Sequence, residues 1–361
     1  MQILKIPYSL VAASSSASTN DLTDSSHPES PSHSFNTVRH TLSEILPVVP
    51  ENPPSFTHCA SPTWKPYNYT FWHALIARSQ GLQESQHHII QLPGLLYQDL
   101  TRCYSSWLSS SRIRETSMRE ALETLASTRA GKDLAVLLDG RRKWFIRLDQ
   151  MSPKDSAMRG ALPASTPHQM LQMLCSSNRA YTCLLHEKED AEAEGRDMSF
   201  KLVLNVWRDD MNTSREFRVF VPPPGATSTT SDATMDVAGV AQRLQDFKIS
   251  AISQYKWTVV LETPWAFSLE QTVAKVEAGA KNVLGEIVAH ARHNLANDIA
   301  ELLLKQGFTF DVALQQDGSV QLVELNPFGA TSGCGPCLFN WVRDGKMLYG
   351  LDEAKFAVTV A

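Results

Sequence analysis

Asp311, Glu324 and Asn326 are the side chains of this 361-residue chain whose types and spacing could do chemistry. They sit in two apolar runs, Phe308-Thr-Phe-Asp-Val-Ala-Leu314 and Val320-Gln-Leu-Val-Glu-Leu-Asn326, separated by Gln315-Gln-Asp-Gly-Ser319. An Asp-Gly between alternating apolar runs is a strong hairpin signal. Strand side chains alternate between faces, so Phe308, Phe310 and Val312 share one face and Thr309, Asp311 and Ala313 the other. In the second run Gln321, Val323 and Leu325 lie opposite Leu322, Glu324 and Asn326. Such a hairpin can aim two carboxylates and an amide oxygen at one point. These are hard oxygen ligands of the kind magnesium takes, usually while sharing its shell with substrate phosphates. A carboxylate on an otherwise apolar strand is costly unless a cation or a donor compensates it. The plainer alternative is a pair of ordinary surface acids on a half-exposed sheet.

The elements that must position these groups can be followed along the chain. Residues 14 to about 55 are rich in Ser, Pro, Asn and His and suit a disordered tail with one short helix near Thr37–Ile45. Order is expected to begin near Cys59-Ala-Ser-Pro-Thr-Trp64. Phe71–Gln80 suits a helix, and His88–Pro93 a short strand stopped by proline. Arg114–Ala130 has helical spacing with a stop at Gly131. Leu134–Leu138 and Trp144–Leu148 read as strands, and Pro167–Cys175 as a helix capped by Ser165 or Thr166. Residues 187–197 are charged and read as a solvated loop. Phe200–Trp207, Glu216–Val221 and Lys248–Tyr255 read as strands, with a low-complexity loop over 222–236. Phe267–Lys305 reads as helix with a break near Gly285.

Three further signals point to no chemistry. Cys334-Gly-Pro-Cys337 spells a thioredoxin-type motif, but it lies beyond the strand that carries Glu324 rather than opening a helix after an early strand, so a loop role is expected. One Cys-x-x-Cys lacks the second ligand pair of a zinc site. His290 with His293, and His87 with His88, lack a supporting ligand set and read as surface histidines.

The bulk numbers bound the function. A length of 361 residues allows two domains, and 43% hydrophobic residues support a sizeable core. A net charge of −5 and a pI near 6.1 argue against a general nucleic-acid binder. No stretch approaches the roughly 20 apolar residues that span a bilayer. Met1–Ala13 is interrupted by Pro7 and matches a signal peptide poorly. Six cysteines in this length do not make a disulfide framework, so a reducing, cytoplasmic setting is expected.

Taken together, the motifs resemble the cell division cycle protein 123 family. The residues that carry the likeness are Ser152-Pro-Lys-Asp155, Leu202-Val-Leu-Asn-Val-Trp207, Glu216-Phe-Arg-Val-Phe-Val221, Ile252-Ser-Gln254, Phe310-Asp-Val312, Glu324-Leu-Asn-Pro-Phe-Gly329 and Leu338-Phe-Asn-Trp341. Their order agrees with the family's over about residues 59 to 345. The resemblance implies an α+β, ATP-grasp fold of two lobes with the nucleotide between them. The expected division is a disordered tail over 1–57, an N-terminal lobe over 58–200 and a C-terminal lobe with the metal site over 201–361.

Carried over by position, the resemblance implies ATP and Mg2+ as cofactors. Asp311, Glu324 and Asn326 would hold the magnesium of ATP. Arg147 stands where the family has a lysine facing the phosphates, and Ser152 and Lys154 lie in the loop covering the nucleotide. Asn205, Val206 and Arg208 fall in the hinge beside the adenine. Glu216 and Arg218 project toward ribose and phosphates, and Tyr255 follows the Ile-Ser-Gln strand. For Arg218 a strand salt bridge, with Glu216 as partner, is the plainer alternative. No catalytic residue is assigned.

The chain also departs from the family. Its hinge has Asn205-Val206 for Arg-Lys, Glu324 replaces Asp, two extra residues precede Leu338-Phe339, and the acidic C-terminal tail is not found up to Ala361. These departures suit a paralogue that keeps ATP binding but has changed its target. The expectation taken forward is a ligase-like protein of a specialised biosynthetic pathway, activating a small-molecule carboxylic acid and coupling it to an amine. The alternative that the resemblance implies is an ATP-dependent assembly chaperone of translation initiation factor two, binding its gamma subunit. Neither reading involves direct contact with nucleic acid or membrane.

Overall fold

The computed structural model describes residues 1–17, 35–38, 40–45, 47, 62–160, 162–224, 237–263, 267–294 and 297–361. In chain order the elements are β1 (Gln2–Pro7), α1 (Tyr8–Ala17), α2 (Leu42–Ile45), α3 (Tyr69–Ser79), β2 (His87–Pro93), α4 (Leu96–Ser110), α5 (Glu115–Ser127), α6 (Arg129–Leu137), β3 (Trp144–Leu148), α7 (Pro167–Cys175), α8 (Asn178–Glu194), β4 (Ser199–Val206), β5 (Glu216–Val221), α9 (Val237–Arg243), β6 (Ala251–Gln254), α10 (Leu269–Asn294), α11 (Asn297–Gln306), β7 (Phe308–Leu314), β8 (Val320–Asn326), α12 (Gly345–Leu348) and β9 (Lys355–Val360). The chain is thus a mixed α+β protein. It divides into two compact units, one of Met1–Tyr67, Phe71–Gln80 and Asp210–Ala361, the other of Asn68–Thr70 and Gly81–Asp209.

The first unit holds a six-stranded sheet in the order β1-β9-β6-β5-β7-β8. β1, β9 and β6 run parallel, and β6, β5, β7 and β8 pair antiparallel. Every residue of β7 is buried, Thr309 and Asp311 as well as Phe308, Phe310 and Val312, so both faces of this inner strand are covered. A second apolar cluster gathers Phe220, Phe328, Leu338, Phe339, Trp341 and Tyr349. Gly279 lets α10 lie close on β8, since a Cβ there would fall 2.4 Å from the Val320 side chain. β8 is an edge strand, and an exposed edge invites pairing with other chains. The end of α3 closes it: Leu322 N–H donates to Ser79 Oγ at 2.8 Å, and Gln80 Nε2 donates to Leu322 O at 2.8 Å.

The second unit holds a three-stranded antiparallel sheet in the order β2-β4-β3. Its core contains Leu92, Leu100, Ile146, Leu148, Leu202 and Leu204 together with residues of α4 to α8. Thr166 caps α7, as expected, by accepting from Gln169 N–H.

Several expectations are corrected. The segment expected as a tail over 1–57 opens with β1, paired along its length with β9, because Ile3 to Ile6 supply enough apolar and β-branched character to extend the sheet. Of that segment, 18–34 and 48–57 lie outside the described residues, as do Cys59 and positions 225–236. Leu134–Leu138 is not a strand. Thr128 caps α6 by accepting from Gly131 N–H, Leu134 and Leu138 are buried four apart, and Val136 faces outward. The apolar run is one stripe of a helix, and Gly131 lies in the first turn of that helix rather than stopping α5. The charged run 187–197 is largely α8, whose buried Ala191 and left-handed Gly195 at the C-cap give it an inner face and an end. Gly285 lies inside α10, which runs to Asn294, and α11 begins at Asn297. The strand expected over Lys248–Tyr255 is confined to Ala251–Gln254. The expected division at 200/201 passes through β4, which stays within the second unit.

Candidate functional site

Register explains why the acidic residues meet. Asp311 pairs with Glu324, and Thr309 with Asn326, across β7 and β8. Directly opposed residues point to the same side of a sheet, so Asp311, Glu324 and Asn326 share a face as expected. Between Asp311 and Val312 the register slips, because Val312 pairs with Leu322 and leaves Val323 as the extra residue of a β-bulge. A bulge re-aims the side chains on either side of it. Leu322, expected on the acidic face, instead follows Val312 and is fully buried.

The other neighbour of Asp311 decides its electrostatics. Arg218 on β5 stands directly opposite Asp311, so Arg218, Asp311 and Glu324 form a row across three strands. The guanidinium grips the carboxylate with two parallel bonds, Nε to Oδ1 at 2.8 Å and Nη2 to Oδ2 at 2.7 Å. Asp311 is 0% exposed and Arg218 6%. Burial works against the Arg218 charge, but the Asp311 carboxylate more than offsets it, and the group is held well above its ordinary pKa. The salt-bridge partner of Arg218 is therefore Asp311, not Glu216. Glu216 lies two residues along the same strand, and its backbone carbonyl accepts from Tyr255 N–H. The Tyr255 ring lies 5.0 Å beneath the guanidinium, and burial raises its hydroxyl pKa while Arg218 pulls the other way. Glu216, Arg218, Tyr255, Asp311, Glu324 and Asn326 are thus one neighbourhood of the first unit.

The donor set can be tested against a cation. Asn326 Nδ2 lies 3.3 Å from Asp311 Oδ2 and 3.4 Å from Glu324 Oε1, so the three groups converge within hydrogen-bond reach. Two carboxylates and one amide suit a hard divalent ion. Among the described residues no group of three or more His, Cys, Asp or Glu side chains is placed to hold a metal. A cation here would need Asn326 as its third protein ligand, with the amide turned so that Oδ1 replaces the Nδ2 that now faces the carboxylates, and further oxygens from its own ligand. Within those limits the residues fit magnesium carried on phosphate.

The remaining expected residues lie on the second unit. Arg147 on β3 and Asn205 on β4 share the sheet face opposite Ile146, Leu148 and Leu204, and both meet Tyr69. The Tyr69 ring lies 4.1 Å from the Arg147 guanidinium, and Asn205 Nδ2 donates to Tyr69 Oη at 2.8 Å. Arg147 and Tyr69 are each 3% exposed. Arg147 also donates from Nε to Leu148 O at 3.2 Å. Asp149 fixes the same segment, its carboxylate accepting from Thr70 N–H at 2.8 Å and Thr70 Oγ1 at 2.9 Å. Lys201 Nζ reaches Thr70 Oγ1 at 3.1 Å. Val206 turns to the apolar core of this unit, and Arg208 is half-buried. Ser152 is buried, its carbonyl accepting from Arg179 Nε, whereas Lys154 is exposed. Tyr69, Thr70, Asp149 and Lys201 escaped the sequence reading. Tyr69 and Thr70 were signalled only by the polar and aromatic cluster Tyr67-Asn-Tyr-Thr70 at the start of a helix.

Comparison with known proteins agrees with the fold and with the resemblance. The family model described as D123 matches residues 132–224, a segment that contains Arg147, Ser152, Lys154, Asn205, Val206, Arg208, Glu216 and Arg218. Among solved structures, Cdc123 from Schizosaccharomyces pombe matches at a TM-score of 0.50 and 18% identity, covering 82% of this chain and 96% of that one. A C-terminally truncated form of the same protein matches at 0.49 and 17%, covering 82% and 97%. At these identities the likeness is one of fold. Comparison with curated proteins returns no match. These findings overturn the ligase-like reading: the family matched is the one whose resemblance implies an assembly chaperone.

Proposed function

On the premise that this chain is a diverged relative of the cell division cycle protein 123 family, we propose that it is a magnesium–ATP-binding assembly chaperone acting on the gamma subunit of translation initiation factor two. The reading takes the fold as ATP-grasp and the setting as cytoplasmic. Among the described residues no helix is long and apolar enough to cross a membrane.

The observation that carries the reading is the convergence of Asp311, Glu324 and Asn326 beside Arg218 on one face of the first unit's sheet. In this reading the three oxygen donors hold magnesium, and the ion in turn neutralises phosphate charge. Arg218 orients Asp311 through two parallel charge-assisted bonds and so acts on the phosphates through the ion that Asp311 helps to hold. Tyr255 and Glu216 line the same neighbourhood toward the ribose. On the second unit, Arg147, Lys154 and Ser152 are the phosphate-side candidates, and Asn205, Val206 and Arg208 the base-side ones. Nothing in this scheme requires ATP to be cleaved. Bound nucleotide would serve to select the conformation that holds the partner.

The test is co-purification. The full chain, immobilised with magnesium–ATP, should retain purified gamma subunit of initiation factor two, and should retain less of it in a chelator without nucleotide. No retention under either condition would refute the chaperone reading.

A further inference from the structure

The Cys334-Gly-Pro-Cys337 turn, left without a role by its sequence, closes over the one side of Arg218 that Asp311 does not hold. We propose that Cys334 and Gly335 are positioning residues of the carboxylate site, clamping the Arg218 guanidinium so that Asp311 is presented to the cation in a single orientation. The proposal rests on the magnesium–ATP reading.

The geometry is specific. Arg218 Nη1 donates to Cys334 Sγ at 2.9 Å and to Gly335 O at 2.8 Å, while its Nε and Nη2 are spent on Asp311. A planar guanidinium held on both sides has no freedom to rotate, so the carboxylate it grips is fixed as well. The turn itself is tied down at several points. Cys334 N–H donates to Ser332 Oγ at 3.0 Å, and Trp341 Nε1 donates to Cys334 O at 2.9 Å. Cys337 N–H donates to Asn36 Oδ1 at 3.0 Å, and Leu338 N–H donates to Ser253 Oγ at 3.0 Å. Position 335 has no room for a side chain, because a Cβ there would fall 2.1 Å from Asn36 Oδ1. A larger residue must displace the Asn36 side chain, and with it the bond from Cys337 N–H that ties the turn down. The thiols are poorly suited to redox work. Burial raises the Cys334 pKa and pushes Cys337 up to about 12, and the thiolate is the reactive form. A protonated sulfur that accepts an N–H suits a clamp.

The test compares nucleotide affinity with and without magnesium in the full chain, using ATP as the probe. The clamp acts through Asp311, so the magnesium-dependent part of the affinity is what should move. Cys334→Ser keeps an acceptor and should stay within about twofold of the native enhancement. Cys334→Ala should lose about tenfold of it, the size of one hydrogen bond to a charged group, with metal-free ATP affinity unchanged. Gly335→Ala should lose at least as much. A native enhancement in Cys334→Ala, or an equal loss with and without magnesium, would overturn the proposal, the second result marking a merely structural role. A native protein whose ATP binding ignores magnesium would instead sink the magnesium–ATP reading. The clamp would then be judged by stability: Cys334→Ala and Arg218→Met must be non-additive in denaturation midpoint, and additivity would overturn it.

Discussion

The buried pair of Arg218 and Asp311 makes a quantitative prediction. Replacing Arg218 with Met leaves a carboxylate that is 0% exposed without its guanidinium, and replacing Asp311 with Leu strands the cation instead. Breaking a buried pair by removing one partner costs about 3–5 kcal/mol, because an uncompensated charge stays behind. Both groups here are screened from water and joined by two short bonds, so the upper half of that range is expected. Replacing both partners with apolar residues of similar volume removes the desolvation penalty together with the attraction, and often leaves stability nearly unchanged. The double variant Arg218→Met/Asp311→Leu should therefore recover at least about 3 kcal/mol relative to the sum of the singles. For a unit of this size each kcal/mol moves the melting temperature by about 2–4 °C, so each single variant should melt about 8–20 °C below the native protein. Denaturant titration followed by circular dichroism reads all four corners of the cycle. Single variants within about 1 kcal/mol of native, or a double variant as unstable as the two singles combined, would refute the assignment of a buried, mutually dependent pair.

Two further predictions rest on other buried groups. Tyr69→Ala should destabilise the second unit by about 3 kcal/mol, since it empties a buried aromatic site over Arg147, whereas Tyr69→Phe should cost about 1 kcal/mol for the lost Asn205 bond; hydrogen exchange of β3 and β4 reads both, and unchanged protection in Tyr69→Ala would contradict the placement. Stability should also fall in alkali. Burial pushes the Cys183 and Cys337 thiols up to about 12, while an unfolded thiol titrates near ~8.5. The folded state thus keeps protons that the unfolded state sheds, so this contribution is whole below about pH 8.5 and is lost as pH rises toward 12. The denaturation midpoint should be lower at pH 10.5 than at pH 7.5, and equal midpoints would mean that the thiols are not buried.

Much of the candidate site was legible in the sequence because it depends on local geometry. The period-2 alternation of Phe308–Leu314 and the Asp317-Gly318 turn suffice to place Asp311 and Glu324 on one face. What stayed hidden depends on contacts distant along the chain. The bulge at Val323 turns Leu322 over, and nothing in Val320–Asn326 announces it. The partner of Arg218 is Asp311, 93 residues away, rather than Glu216 two residues away, and only the pairing of β5 with β7 decides between them. Leu134–Leu138 misled for a different reason: a short apolar run has no period of its own, and the cap at Thr128 that makes it helical lies upstream. The charged run 187–197 looked like a loop because its few inward residues, Ala191 among them, are small.

Because Asp311 also supports the fold, Glu324 is the cleaner probe of cation binding: it is only half-buried and stands on the edge strand. Isothermal titration of ATP into the native chain and into Glu324→Gln, each with magnesium and with a chelator, therefore tests the central claim most directly. The native chain should bind ATP at least tenfold more tightly with magnesium. Glu324→Gln should keep its melting temperature within a few degrees and lose most of that gain, since a neutral amide is a poorer ligand for a hard cation. ATP affinity that is indifferent to magnesium, or an enhancement left intact in Glu324→Gln, would contradict the account.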